Sequence, residues 1–567
     1  MNNTTPPTRP TAGIDWPASL SIYLDVRMPK ILLLGSISGF PWVLIGSMIT
    51  LWLKDTGFSR SNIGLFGVIF TVYALNMLWA PVVDNLRIPL LSRWVGLRKS
   101  WILLMQVIIM IGICALSTLT PTEHIKWIAA WGFMIALASA TQDISIDATR
   151  IELIGELEVS KVGAGSAMAT SGWWIGYGFG GGAALYCANL LQQQGLDNYW
   201  QTTYLLSLIY IVISILLLLI FVREPCHQNR AQHQSSDTKA MAELLFQQPT
   251  GNESGKHTRR LIAGIVLSGL FFSFAGFEAL QAPLTQYLGT DNGLIQFLAL
   301  WVAFMLVAAL FVAVMTLLRP RTPSPPVPQP SHLQPSHLQP FHIETGSARH
   351  KFAHILAIYY MPVARFLQQH GSRVGLLLLA VIFFFKIGEA FLGRMSLVFY
   401  QEIGFDKQDI AIYSKALGTL TVCVFAVIGS VINAHYGLFR GLVLSAIAMA
   451  ATNLLFAALA WWPEKWLFTI AVVGDQFTAA ISTVAFVAFI SQLCDRSYTA
   501  SQYAAFASIG NFARTSLAAS SGMLVDGLNG NWPVFFVLTA VMVIPSLILL
   551  FWLRKDIAPI LAGKSRK

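Results

Sequence analysis

Charge is scarce in this chain: 11% of its 567 residues are Asp, Glu, Lys or Arg, against 55% that are apolar. Soluble domains carry about a quarter charged residues, so a water-facing globular enzyme is excluded as a class. Cysteine is sparse too. Cys114, Cys187, Cys226, Cys423 and Cys494 lie scattered, four of them inside apolar runs, with no CxxC pair or metal-ligand spacing, which leaves no disulfide framework and no structural zinc site. A GxxxxGK[ST] phosphate loop is missing, so ATP is not the expected energy source. The formal charge of +10 is not gathered on an aromatic-studded patch. It falls in short segments between apolar runs, which argues against a nucleic-acid partner. No cleavable leader is expected: MNNTTPPTRP is polar, and the apolar run starting near Ile31 continues for about 23 residues without a cleavage pattern, so it reads as a span.

What the chain has in abundance is apolar runs of about the length that crosses hydrocarbon. They lie near 31–53, 63–83, 101–120, 126–147, 164–190 and 202–222, then 261–288 and 293–318, then 374–400, 411–432, 441–461, 466–494, 504–527 and 532–553. The expected fold is an all-α membrane bundle of about 14 transmembrane helices, two six-helix halves plus an inserted hairpin. The boundaries read as a tail over 1–30, a first half over 31–222, a linker over 223–260, the hairpin over 261–318, a second linker over 319–373, a second half over 374–553 and a tail over 554–567. The second linker contains RPRTPSPPVPQPSHLQPSHLQPFHIE, a proline-rich near-repeat suited to an extended chain. His332, His337 and His342 recur in it without a carboxylate or cysteine framework, so no metal is expected. Residues 350–369 are amphipathic and basic, the pattern of a helix on the cytoplasmic surface.

Lysine and arginine orient the bundle. With the N-terminus inside, inside segments hold about 28 of them and outside loops about five, so both termini are expected to be cytoplasmic.

The six-plus-six layout resembles the major facilitator superfamily, whose halves rock around a site near the bilayer midplane. The connector WAPVVDNLRIPLLSRWVGLRKSWIL carries Asp84, Gly96, Arg98 and Lys99 in the order of that superfamily's loop motif, and GSVINAHYGLFRG repeats the pattern with Asn433, Gly437 and Arg440. Asp84, Arg98, Asn433 and Arg440 are therefore candidates for conformational gating. Asp84 is expected to pair with an arginine of its own loop and to dock on neighbouring helix termini; the plainer reading is a solvated charge at a helix end.

The resemblance narrows to the AmpG muropeptide permeases, on SISGFPWVLIGSMITLWL, LWAPVVDN, GLRKSWILLMQ, ASATQDISIDA, FFFKIGEAF, YSKALGTL, STVAFVAFISQLCDRSYTASQYA and the GNFAR segment. It covers about 25–223 and 352–555, most of both halves. It implies import of anhydromuropeptides from periplasm to cytoplasm by proton symport across the inner membrane of a two-membraned bacterium. Peptidoglycan recycling and an indirect link to beta-lactamase induction follow. It implies no cofactor beyond the proton gradient, and a monomer is the expected state. Two departures from the family stand out: Trp174 in SGWWIGYGFGGGAAL replaces an expected basic residue, and the extra hairpin is central. An acetyl-coenzyme A or drug carrier of the same branch, or a sensor that binds without transporting, are the alternatives.

Charges inside spans mark the candidate cavity, because each costs about 2.5–3.5 kcal/mol at mid-helix unless it faces water or a partner. Lys386 and Glu389 share a helix face at a spacing of three, with Arg394 beyond them. Asp475, Gln476 and Arg514 join them as candidates for a carboxylate- and hydroxyl-rich substrate. The plainer reading of the lysine pair is an ion pair that fastens helices. Gln142 and Asp143 lie within the fourth span, one suited to sugar hydroxyls and the other to a proton; Asp147 and Arg150 read as a polar helix end. Glu389 and Asp143 are the rival proton carriers. Gly172, Gly176 and Gly180 recur every fourth residue, the mark of close helix approach. Lys415, near the expected periplasmic entrance, either attracts anions or snorkels.

Overall fold

Backbone amides in hydrocarbon find partners only within helices or closed barrels, and all regular structure among the described residues is helical. The computed structural model describes residues 20–58, 66–154, 158–223, 361–367, 369–405, 417–514 and 521–556. The expected hairpin at 261–318, the histidine repeat, Lys415 and most of both linkers lie outside the described residues.

In chain order the helices are α1 (Arg27–Asp55), α2 (66–85, in short pieces), α3 (Leu97–Leu116), α4 (Pro121–Leu153), α5 (159–193) and α6 (Tyr199–Phe221). The later set is α7 (Arg373–Tyr400), α8 (Leu417–Tyr436), α9 (Leu438–Trp461), α10 (Lys465–Leu493), α11 (Thr499–Phe512, then Ser521–Gly527) and α12 (Trp532–Trp552). Among the described residues seven of these, α1, α3, α6, α7, α9, α10 and α12, are long and apolar enough to cross a membrane. Helix α6 shows how such a helix sorts its faces: Tyr204, Ser207, Ile211, Ser214 and Leu218 are buried at helical spacing, while Leu205, Ile209, Leu216 and Ile220 remain exposed. The exposed face is as apolar as the buried one, which suits lipid.

Glycine lets α1 and α5 touch backbone to backbone. A Cβ added at Gly35 would meet the Ala169 carbonyl oxygen at 2.4 Å, at Gly39 that of Trp173 at 2.1 Å, at Gly172 that of Leu32 at 2.2 Å and at Gly176 that of Ser36 at 2.2 Å. No side chain fits there. Gly163, where α5 meets α8 of the second half, is looser: its added Cβ would lie 3.5 Å from the Ser430 carbonyl oxygen, an ordinary contact.

Helices α1, α5 and α7 are each interrupted near the middle. Pro41 lies inside α1 and is followed by a π-turn over Val43–Met48, and α5 has a π-turn over Ile175–Phe179. Proline has no N–H, so the Ile37 carbonyl loses its i+4 donor. Helix α7 breaks at Phe385 and Lys386, between the helical pieces Ser372–Phe384 and Ile387–Glu402.

The described part of the amphipathic segment before α7 turns its apolar face to the protein rather than to lipid. Met361 and Phe366 are buried, the Phe366 ring lies 5.0 Å from Phe506 of α11, and Gln502 donates to the Pro362 carbonyl at 2.7 Å. Gln369 donates to Asp495 at 2.6 Å in the α10–α11 turn.

Candidate functional site

The break in α7 places an ammonium inside the second half. Lys386 is 6% exposed, and its Nζ donates to Glu389 Oε2 at 2.5 Å, to Ser482 Oγ at 2.7 Å and to Thr483 Oγ1 at 2.9 Å. Those bonds use all three of its protons. Ser482 closes the triangle by donating to the same Glu389 oxygen at 3.0 Å. Glu389 is less enclosed, with its side chain 18% exposed, so one partner of the pair remains reachable. Two small contacts keep the turn in place: Asn453 donates to the Gly388 carbonyl at 3.4 Å, and an added Cβ at Gly388 would meet the Thr539 carbonyl oxygen at 2.8 Å.

Asp475, two turns before Ser482 on the same face of α10, and Arg514, where α11 departs from helix, lie within electrostatic reach of Lys386. Asp475 and Gln476 are half-buried and Arg514 is exposed; none of the three side chains hydrogen-bonds within the described residues. The structure thus gathers Lys386, Glu389, Asp475 and Arg514. Ser482 and Thr483 are members that the sequence reading missed. Their signal was Ser482 at seven residues beyond Asp475, two turns along one face.

Helix α4 separates its two candidates. Gln142 is fully buried; its Nε2 donates at 3.1 Å to the Ile37 carbonyl left open by Pro41, and its Oε1 accepts from Gln106 at 2.5 Å. Its polar groups serve α1 and α3, which removes Gln142 from the candidate cavity. Asp143 is half-buried and accepts from Ser38 of α1 at 2.7 Å, with Asp147 one turn further along. It lies in the first half, with no bond to the Lys386 cluster.

The gating candidates form a different site at one end of the bundle. Asp84, at the end of α2, accepts from Arg98 at 2.6 Å and from the N–H groups of Ser501 at 2.6 Å and Ala500 at 3.3 Å, with the Ser501 hydroxyl as a further donor. The Asp84 carboxylate stands against the first turn of α11, the positive end of that helix, so the bond across the halves joins a charge to a helix dipole. Arg98 also reaches Glu152 at 3.2 Å. Arg150, read as a simple helix end, is 1% exposed; it bonds Asp147 at 3.3 Å and Ser491 of α10 at 3.2 Å, and stands 5.2 Å from the centre of the Tyr503 ring. Arg496 donates to the Ile151 carbonyl, and Tyr23 meets Ser430. The repeat in the second half does not reproduce the pairing. Asn433 is buried with both side-chain polar atoms unpartnered, and Arg440 is exposed without an ion pair among the described residues. What the repeats share is backbone: Gly96 and Gly437 stand before α3 and α9 at φ +95° and +82°, a region that glycine alone enters without strain.

Nearby, Asp25 precedes α1. Hydrogen bonds from Arg27 and from Lys161 hold its carboxyl well below the usual carboxylate range, and Arg27 continues to Glu158 at 2.5 Å.

An all-helical bundle with charges in its interior and a charged latch between halves defines a multi-pass membrane transporter. The model of the Major Facilitator Superfamily matches residues 31–324, and the chain belongs to that superfamily. Similarity extends along nearly the whole chain to a Rickettsia felis protein named putative transporter AmpG 4, 26% identical and covering 94% of this chain and 98% of that one. The anhydromuropeptide permease of Escherichia coli K12 is 23% identical over 95% of this chain and 82% of its own length. The AmpG resemblance is thereby upheld. Among solved structures, the proton:xylose symporter XylE aligns over 94% of this chain and 96% of its own with a TM-score of 0.53 at 11% identity, which shows the common fold.

Proposed function

We propose that this protein imports anhydromuropeptides from periplasm to cytoplasm together with protons, acting as a monomer in a bacterial inner membrane with both termini in the cytoplasm. The observation that carries the proposal is the enclosed Lys386–Glu389 pair with two hydroxyls at the break of α7, in a chain whose relatives bear AmpG names. A muropeptide brings carboxylates and many hydroxyls. A carboxylate arriving at Lys386 and Arg514 competes with Glu389 for the ammonium, and Glu389 is the proposed carrier of the coupled proton. Substrate and proton are then bound together. Asp84 governs which way the cavity opens, because its bonds to α11 must break before the halves part at that end.

The test is uptake of labelled GlcNAc-anhydro-MurNAc-peptide into proteoliposomes under an imposed pH gradient, acid outside. Accumulation abolished by a protonophore supports symport of this substrate. Uptake of acetyl-coenzyme A without uptake of muropeptide, or saturable binding without accumulation, overturns it.

A further inference from the structure

The connector between α2 and α3 carries apolar and cationic side chains that neither the charged cluster nor the latch uses. It folds as a turn and a short helix, Leu91–Val95. Two hydrogen bonds close the turn: the Ile88 N–H donates to Ser92 Oγ at 2.9 Å, and the Ser92 N–H donates to the Ile88 carbonyl at 3.0 Å. Arg87 and Arg93 flank that closed pair, so the turn brings their backbones together. The inner face of the short helix, Leu91 and Val95, packs on the cluster that contains Leu218 and Val222 of α6. Its outer face leaves Leu90 71% and Trp94 84% exposed, with Leu86 exposed four residues earlier. Leu90 stands at φ +65° in a tight turn where the Leu91 N–H donates to the Pro89 carbonyl at 2.7 Å, a strained setting for a leucine.

The charges of this connector sort by partner. Residues 85–99 include four cations and no carboxylate. Arg98 is taken by Asp84 and Glu152, and Lys99 donates to the Leu219 and Val222 carbonyls at 3.1 Å and 2.7 Å. Arg87 and Arg93 are exposed and form no ion pair among the described residues, and the same holds for Arg223, the residue after the Val222 carbonyl that Lys99 grips. A loop solvated by water accounts for the arginines but not for Leu86, Leu90 and Trp94 among them. Those three continue the exposed apolar face of α6, which ends in Ile220 and Phe221. Tryptophan beside arginine at the end of a lipid-facing surface is the composition of a membrane–water boundary.

We infer that this connector is a seat for an anionic phospholipid of the cytoplasmic leaflet. Its phosphodiester oxygens accept from Arg87 and Arg93, and its acyl chains run past Leu90, Trp94 and the exposed end of α6. The inference is independent of the solute carried; from the proposed function it takes only the orientation that puts this end in the cytoplasm.

The test is native mass spectrometry of the purified full-length protein, titrated with palmitoyl-oleoyl phosphatidylglycerol and, separately, with the phosphatidylcholine of the same chains. Wild type should bind the first phosphatidylglycerol about tenfold more tightly than the first phosphatidylcholine, and the double variant Arg87→Gln, Arg93→Gln should bring the two within about twofold. Arg87→Lys with Arg93→Lys should keep most of the preference. Leu90→Ser with Trp94→Ser should weaken both lipids. Arg93→Gln alone, with a partial loss of preference, gives a second reading should the double variant fail to fold. A preference absent from wild type, or intact in folded glutamine variants, overturns the seat. Displacement of the lipid by equimolar glycerol phosphate or inorganic phosphate assigns the arginines to a soluble anion and overturns the lipid as occupant. A reporter fused after Arg223 that reads periplasmic overturns the leaflet and the orientation, and leaves the lipid measurements to stand or fall by themselves.

Discussion

The side-chain amide of Gln142 donates at 3.1 Å to the carbonyl of Ile37, which Pro41 leaves without its helical donor. A residue that sequence alone offers to a sugar is thus committed to a proline. Gln142→Leu should lower stability by about 1–3 kcal/mol, since the Ile37 carbonyl and Gln106 both lose a buried partner. Thermal unfolding of the purified protein measures this, with substrate affinity of the folded fraction unchanged. A loss of affinity at unchanged stability would return Gln142 to the cavity.

Asp84→Asn should slow uptake roughly tenfold, within the usual range of coupling energies, while equilibrium binding remains within a few-fold. The amide still accepts from the Ser501 N–H but no longer balances Arg98, so the latch weakens and the resting conformation shifts. Measuring uptake and binding on one preparation separates the two effects. Abolished binding in folded protein would place Asp84 in the substrate site.

Glu389→Gln should retain substrate exchange across proteoliposomes and lose accumulation driven by a pH gradient. Asp143→Asn, which keeps an acceptor for Ser38, should still respond to the pH gradient at saturating substrate. The reverse pattern assigns the proton to α4.

The Asp25 cluster predicts a pH effect of definite sign. Its carboxyl is held by Arg27 and Lys161 below the value near 3.9 that an unfolded aspartate shows, so its stabilising contribution is complete above about pH 4. It is lost as pH falls through the lower native value. The drop in unfolding temperature on acidification below pH 4 should therefore be smaller in Asp25→Asn than in wild type, and equal drops in the two would show that the cluster contributes nothing.

Most of the architecture was legible because lipid constrains sequence severely: a run such as YLLSLIYIVISILLLLIF has no other use than a span. Lys386 and Glu389 were legible for the same reason, since a mid-span charge needs a purpose. The contacts of Arg150 and Gln142 were not legible because they depend on distant partners. Arg150 looked like the end of α4 until Ser491 and Tyr503, more than 300 residues away, were placed beside it. The Gln142 role had a local cue, Pro41, but nothing in spacing tells which helix faces the carbonyl it exposes.

The glycine seam between α1 and α5 also has a consequence for how this protein can vary. At Gly39 or Gly176 even a methyl group would meet a carbonyl oxygen within 2.2 Å, whereas at Gly163 the same methyl group finds 3.5 Å. In a library of random substitutions the first two positions should tolerate nothing, and Gly163→Ala should survive. The first half would then inherit its shape as a fixed casting, and the latitude left to mutation, like the latitude left to motion, would lie along the joint where one half slides on the other.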